Sequence, residues 1–254
     1  MVVVLAAPVS SGGEGTARIA PPVSSALEPS HDRVTITAVA APHVERRFLP
    51  RRFRPHLLVH VPRSLAAFAR PSGHSRVVGT VVTSSKYYHV PLVVWVEVLS
   101  PDRRWGRVEL PYVWPRREGW IRLTGLRRAT TGVEVHVDLS RHWITVYKRD
   151  DRLFGFRAAI GAAVSPTPPG DYVVTDRVPF ARGSYLGSFA FGISGIQPRL
   201  PPGWSGGNQL AIHGTNDPSS IGRSVSAGCV RVSEAALARL RPLLRLGTPV
   251  VITR

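Results

Sequence analysis

The chain reads as mainly β, with one short helix late in its length. Three observations carry that reading. In 254 residues there are 23 prolines and 23 glycines, which interrupt the chain with turns too often for long helices. Between these turns lie short runs rich in Val, Ile, Thr and Tyr, spaced as strands of small barrels are. One stretch, Glu234-Ala235-Ala236-Leu237-Ala238-Arg239-Leu240, joins good helix formers to a capping Ser233 and an acidic first turn at Glu234. At this length one large domain or two modest ones are expected, and two are the more natural division.

Residues 1–32 are rich in Pro, Ser, Gly and Ala without periodicity, as in a tail that cannot bury a core. Its start, Val2-Val3-Val4-Leu5-Ala6-Ala7-Pro8-Val9, is similar to the apolar core of a secretory signal but has no basic lead. A remnant signal and an ordinary tail both stay open. Residues 33–64 form a basic, Arg- and Pro-rich connector, with strand-like alternation at 34–39 and an extended remainder set by Pro50, Pro55 and Pro62. Residues 65–130 carry short strand runs at 77–83, 90–99, 105–110 and 119–123, the pattern of a small barrel.

Residues 131–254 make the second domain. Val133-Glu134-Val135-His136-Val137-Asp138-Leu139-Ser140 alternates as a half-buried strand does, and Ile144-Thr145-Val146-Tyr147 repeats the pattern. Arg149-Asp150-Asp151-Arg152 reads as a hairpin turn with its return strand at 153–160, and Thr167-Pro168-Pro169-Gly170 as a rigid corner before a strand at 171–175. Residues 180–208 hold Gly and Pro too often for a central strand, and a mobile loop over the site is expected there. Pro242 ends or interrupts the helix, and Gly247-Thr248-Pro249 leads into a last strand at 250–253.

The formal net charge is +17, and Lys86 and Lys148 are the only lysines, so the basicity is arginine. No Asp or Glu falls between Glu45 and Glu97, while arginines recur from Arg46 to Arg76. Such a field recruits anionic polymers, or serves as a solvated face that keeps the chain soluble. No apolar run approaches the roughly 20 residues of a membrane-spanning helix, and no membrane span is expected.

Chemistry concentrates at the one cysteine, Cys229, within Ser226-Ala227-Gly228-Cys229-Val230-Arg231. A lone thiol is a candidate nucleophile, although free cysteines often pack as small hydrophobes. Gly228 leaves room for a carbonyl to approach the backbone, and the N–H groups of Gly228 and Cys229 are the natural donors to an oxyanion. His213, ending the strand Leu210-Ala211-Ile212 and followed by Gly214, is the candidate base. Arg231, two residues beyond the sulfur, shares its face if the segment is extended, and either lowers the thiol pKa or grips a substrate carboxylate. Asp217 is the carboxylate nearest His213, but it precedes Pro218, which favours a turn role; a main-chain carbonyl is the other group able to orient the ring. His136, His142, His213 and Cys229 show no metal-ligand spacing, so no metal and no cofactor is expected.

His213-Gly214-Thr215, then Gly222, then Ser226-Ala227-Gly228-Cys229-Val230-Arg231 resemble the signature of bacterial L,D-transpeptidases. The resemblance begins at Val135 and takes in the Thr167-Pro168-Pro169-Gly170 corner and the terminal Gly247-Thr248-Pro249-Val250-Val251-Ile252. The hairpin Trp105-Gly106-Arg107-Val108-Glu109-Leu110-Pro111 with Gly119-Trp120-Ile121 resembles bacterial SH3-like domains, which precede this catalytic domain in some members. The resemblance implies a β-rich catalytic fold at 131–254 and a thioester of Cys229 with the third residue of a peptidoglycan stem tetrapeptide. D-alanine leaves, and an amine of a second stem takes the acyl group, giving a 3-to-3 cross-link. It further implies His213 as base, the Gly214 carbonyl as the group that orients it, and acylation of the thiol by carbapenems. Ser226, Thr215 and Arg231 are the expected substrate contacts. Ala227 stands where many members carry His or another polar residue, which bears on substrate contacts or acceptor choice, and the insertion at 195–208 is atypical in its Pro and Gly content.

The expected activity is therefore a cysteine acyltransferase on peptidoglycan stem peptides outside the cytoplasmic membrane. With water as acceptor the same site is an L,D-carboxypeptidase. A different class is a non-catalytic protein whose arginine-rich half binds anionic wall polymer or nucleic acid, and wall polymer rather than nucleic acid is the partner expected.

Overall fold

The computed structural model describes residues 55–181 and 183–254. The tail 1–32, the strand expected at 34–39 and the connector up to residue 54 lie outside the described residues. The N-terminal half runs through β1 (His56–His60), β2 (Leu65–Phe68), β3 (Val77–Val81), β4 (Val93–Val96), β5 (Val98–Leu99), β6 (Trp105–Glu109), β7 (Glu118–Arg122) and β8 (Arg128–Thr131). Two antiparallel sheets, β4-β1-β8 and β3-β2-β7-β6-β5, share one apolar cluster that includes Val59, Ala67, Val81, Val108 and Ile121. The hairpin that carries the SH3-like resemblance is β6–β7. Its glycines mark close approach: a Cβ on Gly106 would lie 2.7 Å from Val96, and one on Gly119 2.7 Å from Ala67.

Residues 56–60, expected within the connector, join this half as β1 and pair with both β4 and β8. Pro55 and Pro62 flank the strand instead of interrupting it, so neither removes a ladder hydrogen bond, and Leu58 and Val59 are buried.

The C-terminal half follows with β9 (Val133–Asp138), β10 (Trp143–Lys148), β11 (Asp151–Arg157), β12 (Ile160–Gly161), β13 (Gly170–Pro179), β14 (Phe189–Ile196), β15 (Gln209–His213), β16 (Ser224–Ser226), β17 (Val230–Arg231), α1 (Glu234–Leu240) and β18 (Pro249–Thr253). Its main sheet has the order β11-β10-β9-β18-β13-β14-β15-β17, parallel at β9–β18 and β15–β17 and antiparallel elsewhere. Arg149 and Asp150 both adopt positive φ in the β10–β11 turn, the two-residue geometry whose twist matches that of the strands. Ser233 accepts from the Ala236 N–H at 3.2 Å and caps α1, a contact worth about 1 kcal/mol. Ala236, Leu237 and Leu240 then bury in the apolar cluster that also holds Val230 and Val232.

The expected mobile loop at 180–208 is corrected by β14. This strand lies between β13 and β15 and is buried along almost its whole length. Its glycines are sites of close approach rather than breaks. A Cβ on Gly192 would meet Asp176 Oδ2 and Gln209 Nε2 at 2.6 Å, and one on Gly195 would meet Tyr172 at 2.6 Å and Leu210 at 2.9 Å. What remains irregular is the segment before β14 and the hairpin loop 197–208, closed by the Gln197 N–H donating to Asn208 O at 2.7 Å.

The two halves are in direct contact within one unit, Pro50–Arg254. The Tyr112 N–H donates to Ser194 O on β14 at 2.7 Å, and Arg116 pairs with Glu109 of its own half and, at 3.7 Å, with Asp171 of β13. Leu58 and Val93 pack on Gly247.

Gly195→Ala is expected to destabilise the protein by about 1–3 kcal/mol, since neither Tyr172 nor Leu210 has space to withdraw. Urea unfolding checks this, and an unchanged midpoint would show that β14 is not held against β13 as described.

Candidate active site

Pairing of β15 with β17 sets Ile212 against Val230 and His213 against Arg231. Ile212 and Val230 belong to the apolar core. Side chains alternate along a strand, so Ala211, His213 and Arg231 project from the opposite face; Cys229, just before β17, sets its sulfur against the main chain of β15, 3.9 Å from Gln209 O. Sequence-distant thiol, imidazole and guanidinium are thereby brought to one sheet edge.

His213 is buried, and its Nδ1–H donates to Gly214 O at 2.6 Å. In that neutral tautomer Nε2 carries the free lone pair. Burial above all pulls the ring down to a pKa of about 4, and the Arg231 charge adds to this, against the Gly214 and Leu186 carbonyls that favour protonation. Asp217 takes no part: its carboxylate caps the turn Pro218–Ser220, accepting from the Ser219 N–H and hydroxyl. Cys229 is half-buried and free. Burial pushes its thiol up, while the Ala211 main chain and Arg231 favour the thiolate. The sulfur donates weakly to Gln209 O at 3.9 Å and makes no hydrogen bond to the imidazole in this geometry. Thiol and imidazole are thus both biased towards their neutral forms.

Three of the groups expected to meet substrate are hydrogen-bonded within the protein here. The Gly228 N–H, expected to face an oxyanion, donates instead to Ser226 Oγ at 3.1 Å. Among the described residues the Cys229 N–H has no such partner and is left as a main-chain donor beside the sulfur. Ser226, expected to contact substrate, is buried, and its hydroxyl closes the loop on itself by also donating to Cys229 O at 2.5 Å. Thr215 is likewise turned inward, its hydroxyl accepting from the Asp217 N–H at 3.0 Å. Arg231 does suit a ligand: it is half-buried, and among the described residues it forms no ion pair and its buried Nε has no partner.

Three positioning residues escaped the sequence reading. Thr167 Oγ1 donates to Gly228 O and accepts from the Gly161 N–H, both at 2.8 Å. Ser165 Oγ donates to Ser226 O at 3.2 Å. Gln197, also buried, donates from Nε2 to Ser165 O and Pro166 O at 3.1 and 3.0 Å and fills the space where a Gly228 side chain would be. With φ +116° at Gly228, this loop conformation belongs to glycine. The Thr167-Pro168-Pro169-Gly170 corner signalled Thr167 only as a turn, and nothing in the local sequence singles out Gln197.

Alkylation of Cys229 is expected to lack the low-pH plateau of a preformed thiolate–imidazolium pair and to rise as pH increases; a fast rate independent of pH down to about pH 5 overturns this. The depressed folded-state pKa of His213 also predicts that stability falls as pH drops from about 6.5, where the unfolded imidazole protonates, towards about 4. Urea unfolding across this window should show the loss, and His213→Gln should flatten it.

The stretch of chain that contains these residues is similar to known proteins. Residues 132–252 match the YkuD family, described as the L,D-transpeptidase catalytic domain. The YkuD protein of Bacillus licheniformis is 31% identical over 134 residues, which cover 73% of that protein and 52% of this chain. The YkuD protein of Bacillus subtilis is 26% identical over 125 residues, 68% of its length and 49% of this chain. Among solved structures, an L,D-transpeptidase from Mycobacterium smegmatis is 16% identical with a TM-score of 0.41, covering 76% of this chain and 100% of that one. One from Enterococcus faecium is 21% identical with a TM-score of 0.38, covering 48% of this chain and 50% of that one. With the extent of the Bacillus licheniformis match added to the family match over 132–252, this chain belongs to the YkuD family of L,D-transpeptidases.

Proposed function

We propose that the protein is a cysteine acyltransferase that forms 3-to-3 cross-links between peptidoglycan stem peptides outside the cytoplasmic membrane. The observation that carries the reading is the pairing of β15 with β17, which sets His213 beside the strand that Cys229 leads into and leaves the Cys229 sulfur against Gln209 O of the same β15, with His213 Nδ1–H tied to Gly214 O. His213 Nε2 takes the thiol proton as sulfur attacks the carbonyl of the third stem residue. The bond to D-alanine breaks as the amine leaves with that proton, and a thioester remains. A side-chain amine of a second stem attacks the thioester, loses its proton to His213, and the new amide releases the thiol. Burial favours the neutral thiol, so in this reading proton transfer accompanies attack. The Cys229 N–H is the main-chain donor offered to the oxyanion, and Arg231 is the group suited to a substrate carboxylate.

In the N-terminal half Arg63, Arg70, Arg76, Arg104 and Arg122 are exposed, and an open groove of about 320 Å³ is lined by His74, Arg104, Trp105 and Arg122 together with Asp102. These residues support a role for this half in holding anionic wall polymer, a contact that would weaken steeply with salt.

Incubation with a disaccharide tetrapeptide is expected to release D-alanine and yield cross-linked dimer by mass spectrometry, with Cys229→Ala inactive and His213→Gln slowed about 10²–10⁴-fold. Equal activity in Cys229→Ala overturns the proposal, and D-alanine release without dimer assigns water as the acceptor. Carbapenem treatment is expected to add one covalent adduct by intact mass, absent in Cys229→Ala.

A further inference from the structure

The hairpin loop 197–208 joins the nucleophile loop to the N-terminal half. At its first end Gln197 sits against Gly228, so closely that a Cβ there would lie 2.1 Å from Gln197 Nε2. Gln197 Oε1 also accepts from the Arg199 N–H at 3.0 Å, which ties the side chain to its own hairpin. At the other end Asn208 is held from the N-terminal half. Lys86 Nζ donates to Asn208 Oδ1 at 2.7 Å, the Tyr87 hydroxyl donates to the same oxygen at 3.3 Å, and the Asn208 N–H donates to the Tyr87 oxygen at 3.1 Å. The Tyr87 ring lies on Gly207, where a Cβ would come within 2.7 Å of it. Asn208 O accepts from the Gln197 N–H, and the next carbonyl, that of Gln209, is the one that accepts from the Cys229 sulfur.

We propose that Asn208 is a positioning residue through which the N-terminal half holds Cys229 in its reactive setting. A shift of Asn208 moves Gln197 by their shared hydrogen bond and moves the Gln209 carbonyl by covalent connection. Gln197 has no free space towards Gly228, so its displacement passes to the peptide that precedes the nucleophile, because close-packed interiors transmit strain. Misplacement of a reacting group by about 1 Å is enough to slow chemistry up to about 100-fold. The proposal rests on Cys229 being the nucleophile, and its first readout, thiol alkylation, requires no peptidoglycan substrate.

The test compares Asn208→Leu, which removes the acceptor of Lys86 and Tyr87, with Asn208→Asp, which keeps an oxygen there, in the full chain. A Lys86→Met/Tyr87→Phe variant leaves the hairpin sequence intact. Iodoacetamide alkylation of Cys229, kcat and KM for D-alanine release, and Tm are measured on each. Asn208→Leu and the Lys86/Tyr87 variant are expected to alter the alkylation rate several-fold and lower kcat about 10-fold with KM within about two-fold, while Asn208→Asp stays near the parent. Parental alkylation and kcat in the Lys86/Tyr87 variant overturn the proposal, as does equal impairment of the Leu and Asp variants. If the parent releases no D-alanine, altered alkylation in Asn208→Leu and in the Lys86/Tyr87 variant would support the positioning role and count against the transpeptidase reading alone.

Discussion

Strands Gln209–His213 and Val230–Arg231 meet in a parallel register that places Ile212 against Val230. Burial of that pair makes the register costly to change, because a slip by one residue turns His213 into the apolar core and Ile212 out of it. His213 and Arg231 are aligned as a consequence of packing on the other side of the sheet. The same register brings Arg231 opposite His213, so the positive charge at the site is set by the backbone ladder and not by an ion pair.

The electrostatic character follows from that burial. Desolvation acts on both members of the pair in the sense that disfavours charge, raising the thiol and lowering the imidazole. Arg231 works on the two oppositely in effect, favouring thiolate while disfavouring imidazolium. A neutral pair with an oriented ring suits general-base chemistry, in which charge is created only as the nucleophile attacks. The Gly214 carbonyl supplies the orientation without placing a second full charge in the site.

Around this strand pair, polar side chains hold a loop that glycine makes possible. Ser165 and Thr167 bind the carbonyls of Ser226 and Gly228, and Ser226 binds back to Gly228 and Cys229. Gln197 closes the remaining side. Buried polar groups satisfied this fully specify one arrangement, since any other leaves donors or acceptors unpaired. The hairpin that begins at Gln197 ends at Asn208 in the grip of Lys86 and Tyr87, which makes the N-terminal half part of the surroundings of the site.

The alternating strands at 133–138 and 143–148, the turn at Arg149 and Asp150, and the Ser233-capped helix were legible in the sequence, because period-two burial, turn formation and capping depend on residues close along the chain. Cys229, His213 and Arg231 were singled out by residue type and spacing, and the pairing of β15 with β17 sets His213 opposite Arg231. Strand β14 was not: Gly192 and Gly195 look like loop residues until Asp176, Gln209 and Tyr172 are found pressed against them. Nor did the sequence show that Ser226 occupies the Gly228 N–H, that Thr215 faces its own turn, or that Gln197 supports the loop that carries Cys229. By itself, then, the sequence determined which chemical groups this protein brings to its site and where its local elements begin. Which donors stay free and which loops brace the sulfur was decided only by tertiary structure, because those outcomes depend on contacts between segments far apart in the chain.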